Sequence, residues 1–218
     1  MALGRRDYLT LWGFRGRVER TFDMAGTAAE RIVEAGRKLF AKKGFHATGM
    51  RDIAKLARVS IGSLYHHFRS KDELFLAVVR REFETRLAQA KGLLAQGLPA
   101  PEVLRQVMEM YLSSLGDPDS VQLLSRAWAP EDPRLWKRLG ALLEEYARAI
   151  AAILKEAADA GKIRPVHPLL AAYALLGMAG AVTVRAAGHD ELARELREIG
   201  AKELAEFAWR ALAPKEEG

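Results

Sequence analysis

Residues 48–75 constrain the chain most: Thr48-Gly-Met-Arg-Asp-Ile-Ala-Lys-Leu-Ala-Arg-Val-Ser-Ile-Gly-Ser-Leu-Tyr-His-His-Phe-Arg-Ser-Lys-Asp-Glu-Leu-Phe75. Thr48 is placed to cap a first short helix, because a threonine hydroxyl can take a free amide of the first turn. Ile53, Ala54 and Ala57 follow at helical spacing and give that helix one apolar face. Arg58-Val59 makes a turn and Ser60 caps a second helix. Ile61, Leu64, Tyr65 and Phe68 are expected to form its inward side. Ser70-x-x-Glu73 has the spacing of a capping box and starts another helix. Two helices of about eight residues joined by a three- or four-residue turn match the unit that lays its second helix in the DNA major groove.

The residues also resemble a known family. Phe40-x-x-x-Gly44-Phe45-x-x-Thr48, Ile53-Ala54, Val59-Ser60-x-Gly62-x-Leu64-Tyr65-x-His67-Phe68 and Ser70-Lys71-Asp72-Glu73-Leu74 are similar to the DNA-binding domain of the tetracycline-repressor (TetR) family of bacterial regulators. The resemblance covers about residues 27–78. It implies an all-α fold with an N-terminal three-helix DNA-binding domain and a larger helical domain for ligand binding and dimerisation. Two positions depart from the pattern. Gly49 stands where a second threonine is usual, which removes a hydroxyl that could touch phosphate. Arg58 stands where the turn usually has glycine; if that site needs positive φ, arginine is modestly strained there but adds a cation.

Composition agrees with an all-α protein. Half of the 218 residues are apolar, enough for a sizeable core, and no stretch alternates as a strand would. There is no Cys, which excludes disulfides and thiolate metal sites. The net charge of +6 is unevenly spread: residues 1–75 carry 15 Lys/Arg against 8 Asp/Glu, residues 76–218 carry 19 against 20. The positive excess therefore sits with the helix pair, as expected if only that part meets phosphates.

The organisation reads as a 1–26 extension, a 27–75 DNA-binding domain and a 76–218 regulatory domain. The extension carries Arg5, Arg6, Arg15, Arg17 and Arg20. It suits a flexible tail or a start placed too early at Met1 with Met24 as the true one; a basic arm reaching a DNA groove is the other reading. Its apolar run at 8–14 is too short for a signal peptide or a membrane span. Thr27-x-x-Glu30 is expected to be a capping box opening a helix that ends near residue 43, before Gly44. Further helices are expected over 72–96, 101–115, 119–128, 133–160, 167–187 and 190–212, separated by Gly- and Pro-bearing breaks.

Side chains not needed for packing on the second helix of the pair are the DNA-facing candidates. They are Ser60, Gly62, Ser63, His66 and, at the helix end, Arg69. Ser63 and His66 can bond base edges or phosphates, and Gly62 lets the backbone approach. Thr48, Arg51 and Lys71 are phosphate candidates by position and charge. No Arg sits in the middle of the second helix, so a bidentate guanine contact would have to come from Arg51 or Arg58 at its edge. The family resemblance adds the Tyr65 hydroxyl as a phosphate contact. It also implies an effector enclosed by helices between about 101 and 185, where Met108, Tyr111, Arg126, Trp128, Trp136, Tyr146, Tyr173 and Met178 could line a largely apolar pocket or simply be core. Arg185 could meet an anionic ligand or face solvent.

Tyr173, Gly177, Gly180, Ala181 and Val184 share a face whose small residues permit a close helix neighbour. Leu192, Leu196, Ile199, Phe207 and Ala211 share a face of the last helix. The resemblance implies that these two helices pair with a second copy; closing the chain's own core is the other reading. The histidines have no chelating spacing and no catalytic or phosphate-loop motif occurs, so neither metal nor cofactor nor catalytic residue is expected. The leading expectation is a cytoplasmic, nucleoid-associated bacterial regulator, a homodimer on a palindromic double-stranded operator, with no membrane partner and most often a repressor released by a small molecule. The alternatives are an activator or a regulator gated by a protein partner, and a helical ligand-binding or enzymatic protein whose helix pair only packs.

Overall fold

The computed structural model describes residues 27–113, Leu123 and 133–214, with backbone alone for 111–113. The described residues form eight helices and no strand: α1 (Ala28–Ala47), α2 (Met50–Ala57), α3 (Ile61–His67), α4 (Lys71–Leu94), α5 (Ala100–Ser113), α6 (Pro133–Asp159), α7 (Pro168–Ala186) and α8 (Glu191–Leu212). The all-α expectation holds. The 1–26 extension, most of the 119–128 helix, Arg126, Trp128 and the Tyr111 side chain lie outside the described residues.

The first three helices close over one small core. Ile32 and Phe40 of α1, Ile53 of α2, Leu64 of α3, Phe68, and Leu74, Phe75, Val78 and Val79 of α4 are all fully buried. The rings of Phe40 and Phe75 meet edge to face with centroids 5.1 Å apart, and Phe45 joins both at 5.9 and 5.3 Å. Edge-on and offset rings are the favoured aromatic contacts. The path turns at Gly44, whose φ of 84° is open to glycine and rare for other residues. Where α1 crosses α4, a Cβ on Gly36 would stand 3.3 Å from Val78 Cγ2, so the close crossing depends on that glycine.

Two capping expectations are corrected. Thr27 precedes α1 but makes no side-chain cap bond, and its buried Oγ1 has no partner among the described residues. Thr48 does not cap α2; Gly49 holds that position. Thr48 turns inward instead, its hydroxyl donating to the Gly44 carbonyl at 2.6 Å, with the Leu39 carbonyl at 3.1 Å. A buried hydroxyl needs such a bond, and this one ties the kink after α1 to the start of α2. Elsewhere the caps form. Ser60 accepts from the Ser63 amide at 3.0 Å, Ser70 from Glu73 at 3.1 Å, and Asp190 from Ala193 at 2.9 Å. The Glu73 carboxylate reaches back to the Arg69 amide, one residue before the cap.

Helix α4 runs on from the first domain into the second, so the expected boundary after residue 75 falls inside it. Beyond that point α4 packs on α5 and α6, α6 on α7, and α8 on both α5 and α7. Leu135, Leu139, Leu142, Tyr146 and Leu154 give α6 the long inward stripe its spacing predicts. Arg164, in the connection after α6, bonds the carbonyls of Ala211 and Leu212 and so satisfies the end of α8. Helices α7 and α8 approach closely at Gly200, where a Cβ would meet Val182 Cγ1 at 3.4 Å. Helix α7 is long and apolar enough, by length and composition, to cross a membrane, with mean hydropathy 1.6; here Ala172, Leu176, Ala179, Gly180, Thr183 and Ala186 are buried.

Candidate nucleic-acid interface

Helix α3 packs on α1 and α2. Leu64 and Phe68 anchor its inner side. Arg31 of α1 donates from Nε to the Ala57 carbonyl at 3.2 Å, which fixes the end of α2. Between the two helices Arg58 is left-handed, with φ 55° and ψ 46°, and is the only non-glycine residue with positive φ among those described. The glycine-like conformation expected of this position is present, carried by an arginine.

The inward side assigned to α3 needs correction. Ile61 is 40% exposed and Tyr65 49% exposed. The helix has only seven residues, and its narrow contact with the domain buries Leu64 without reaching their ring or branches. Ile61, Gly62, Tyr65 and His66 are all exposed, while Ser63 and His67 are half-buried. Adding a Cβ to Gly62 would meet only Ser60 Oγ, at 3.9 Å. A second surface can therefore come close to the backbone there.

The cations differ in what already holds them. Arg51 and Arg58 are exposed. Lys71 donates to the His46 carbonyl at 3.2 Å and stands 4.6 Å from the centre of the Phe45 ring, so its charge is fixed beside the start of α4. Lys43 pairs with Asp52 at 3.3 Å. Thr48 is withdrawn from the DNA-facing set, since its side chain is buried and its hydroxyl is engaged within the fold.

Two family descriptions match this chain. Residues 32–78 match "Bacterial regulatory proteins, tetR family" and residues 97–184 match "Tetracyclin repressor-like, C-terminal domain". An uncharacterized HTH-type transcriptional regulator of Bacillus subtilis, YfiR, is 30% identical over 150 residues, covering 63% of this chain and 69% of YfiR. The chain belongs to the TetR family. The HTH-type transcriptional regulator UidR of Escherichia coli K12 is 42% identical over 59 residues, but these are 27% of this chain and the match spans only 30% of UidR. Among solved structures, Salmonella enterica GusR superposes with a TM-score of 0.68 at 26% identity, over 85% of this chain and 95% of GusR. The helix-turn-helix and helical C-terminal architecture of the TetR family is thus present here.

Among the described residues, the predicted pocket set divides between inward and exposed side chains. Tyr146 is buried against Phe83, Met108 is buried and Met178 half-buried. Trp136 is 57% exposed and Tyr173 faces solvent, because neither lies on the inward stripe of its helix. Arg185 is committed to Asp190 at 2.6 Å. That hydrogen bond holds Asp190 below the usual carboxylate range, with the Ala193 amide adding to it.

An open groove of about 580 Å³ lies between α4 and α5, lined by Gln89, Gly92, Leu93, Gln96, Arg105, Gln106, Glu109 and Met110. Arg105 bridges Glu102 and Glu109. Its hydrogen bond, with that of Gln106, lowers Glu102 to about 2. The 102/105/109 spacing was legible as a helical ion-pair run; the glutamines carried no such signal. Sequence reasoning also missed Arg86, buried on α4 beside Glu82 at 2.7 Å. Among the described residues, no three His, Asp or Glu side chains come together to hold a metal.

Proposed function

We propose that this chain is a non-catalytic, ligand-responsive repressor that binds a palindromic operator as a homodimer and leaves it when a small molecule occupies the regulatory half. The observation that carries the reading is the solvent-facing side of α3, with Gly62, Tyr65 and His66 on a helix anchored from behind by Leu64 and Phe68. The positive excess of residues 1–75 supplies the sequence-independent attraction to phosphate. Ser63 and His66 take the base edges, with the Gly62 backbone giving room for the approach; Ser60, Arg51, Arg58, Tyr65 and Lys71 take the backbone. A dimer covering a promoter-proximal site obstructs transcription sterically, and such a protein works in the cytoplasm, on the nucleoid.

The second copy is assigned to α7 and α8. Tyr173, Val184, Leu192, Ile199 and Phe207 are all exposed on these two helices, Phe207 at 63%, with Gly177 open to solvent. Several large apolar side chains exposed on one helix pair mark an association surface. Leu196 and Gly180, assigned to that interface from the sequence, are half-buried and buried within the chain and serve its own packing.

Selection from random duplex DNA tests the reading. A palindrome with half-sites about one helical turn apart, roughly 34 Å or a multiple, is expected. Failure to enrich any sequence, or enrichment of a single asymmetric half-site bound by one chain, would overturn it.

A further inference from the structure

We infer that Ile61 is a specificity residue of α3 that reads the C5-methyl group of a thymine in the major groove. This rests on the DNA-binding reading above and adds a residue and a base to it. The first turn of α3 offers few groups to a base edge. Ser60 Oγ is occupied as acceptor from the Ser63 amide, Gly62 has no side chain, and Ser63 is half-buried. Ile61 is the one large side chain of that turn exposed to solvent, at 40%. Arg69, the first cation after Ser60, stands beyond the end of the helix.

A recognition helix meets bases with its N-terminal residues. In the major groove thymine is distinguished by its methyl, which favours apolar contact. A β-branched side chain has few rotamers on a helix, so the Ile61 branches hold fixed positions. They suit a methyl-bearing base better than a cytosine, whose exocyclic amine would lose its water against them. The Gly62 backbone beside it gives room for the approach: a Cβ there would find no atom but Ser60 Oγ within 4 Å.

The test uses the full-length protein and a duplex obtained by selection, in which each thymine is replaced in turn by deoxyuridine. That change removes the methyl and keeps the pairing. For the unmodified protein one symmetric position should lose about fourfold in affinity per half-site, the worth of roughly one buried methyl. Ile61→Ala should bind the thymine operator more weakly and show no further loss on uracil at that position. Its fold is checked by circular dichroism, and is expected intact because the side chain is exposed and alanine favours helix. Insensitivity of the unmodified protein to uracil at every position, or equal sensitivity of Ile61→Ala, would overturn the proposal while leaving DNA binding standing. Absence of binding to any duplex would overturn both.

Discussion

The rings of Phe83 on α4 and Tyr146 on α6 lie nearly parallel, 9° apart in plane with centroids 4.6 Å from each other. Around them Arg80 reaches Glu145 at 2.7 Å and Arg138 approaches Asp72 at 3.7 Å. The helix that begins in the DNA-binding half is therefore fastened to the longest helix of the regulatory half by one buried stack and two exposed ion pairs. The exposed pairs contribute little to stability; the buried stack contributes more.

Replacing Phe83 by Ala should lower stability by about 3–5 kcal/mol, as for other buried aromatic truncations. A double-mutant cycle with Tyr146→Leu should return a coupling of about 0.5–1.5 kcal/mol. Urea denaturation at equilibrium reads both. Additive effects would show that the two rings are merely neighbours.

Arg58→Gly should act in opposite directions on two observables. The left-handed conformation costs an L-residue roughly 1–2 kcal/mol, and glycine loses part of that gain to its freer unfolded chain. A net stabilisation of about 0.5–1 kcal/mol is expected in a thermal melt. DNA affinity should fall, and the slope of log affinity against log salt should shrink by about 0.9 per chain if the guanidinium meets a phosphate.

Gly177→Leu should leave the chain folded, because a Cβ at Gly177 meets nothing within 4 Å. In a two-fold interface the added side chain is met twice, so the dimer should dissociate. Sedimentation velocity, with circular dichroism as the control, reads this. A folded, fully dimeric variant with unchanged operator affinity would move the interface to other helices, with α6 next in line.

Asp190→Asn separates a cap from a charge. Asn caps as well as Asp, so the α8 start should survive at neutral pH. The Asp190 pKa is depressed in the folded chain by Arg185 and the Ala193 amide. Its stabilisation is thus present above the unfolded carboxylate pKa and lost as pH falls through the lower folded one. Urea midpoints of the parent should drop more than those of Asp190→Asn as the buffer goes from neutral to acid below about pH 4.

The helices were legible because their breaks are local: Gly44, Gly97 and Gly161 all have positive φ, and Ser60 and Ser70 cap as their spacing implies. Thr48 misled for a physical reason. A hydroxyl near a helix start can bond forward to a free amide or backward into the core, and Thr48 does the latter because the kink at Gly44 leaves a carbonyl facing inward. The α3 face was half legible. Periodicity placed Leu64 and Phe68 correctly but counted Ile61 and Tyr65 as core, since apolar type alone does not say how wide a contact a seven-residue helix makes. The exposure of Trp136 and Tyr173 was not legible: both are apolar in type, yet their exposure depends on which helices pack beside them, which no local spacing encodes.

Salt dependence of binding, followed by fluorescence anisotropy with the selected operator and a scrambled duplex, tests the central claim most directly. Arg51, Arg58 and Lys71 from each of two chains would give six phosphate contacts. Log affinity should then fall linearly with log salt at a slope of about −5, with the scrambled duplex bound at least roughly 10³-fold more weakly. A slope near zero, or equal affinity for both duplexes, would contradict the account.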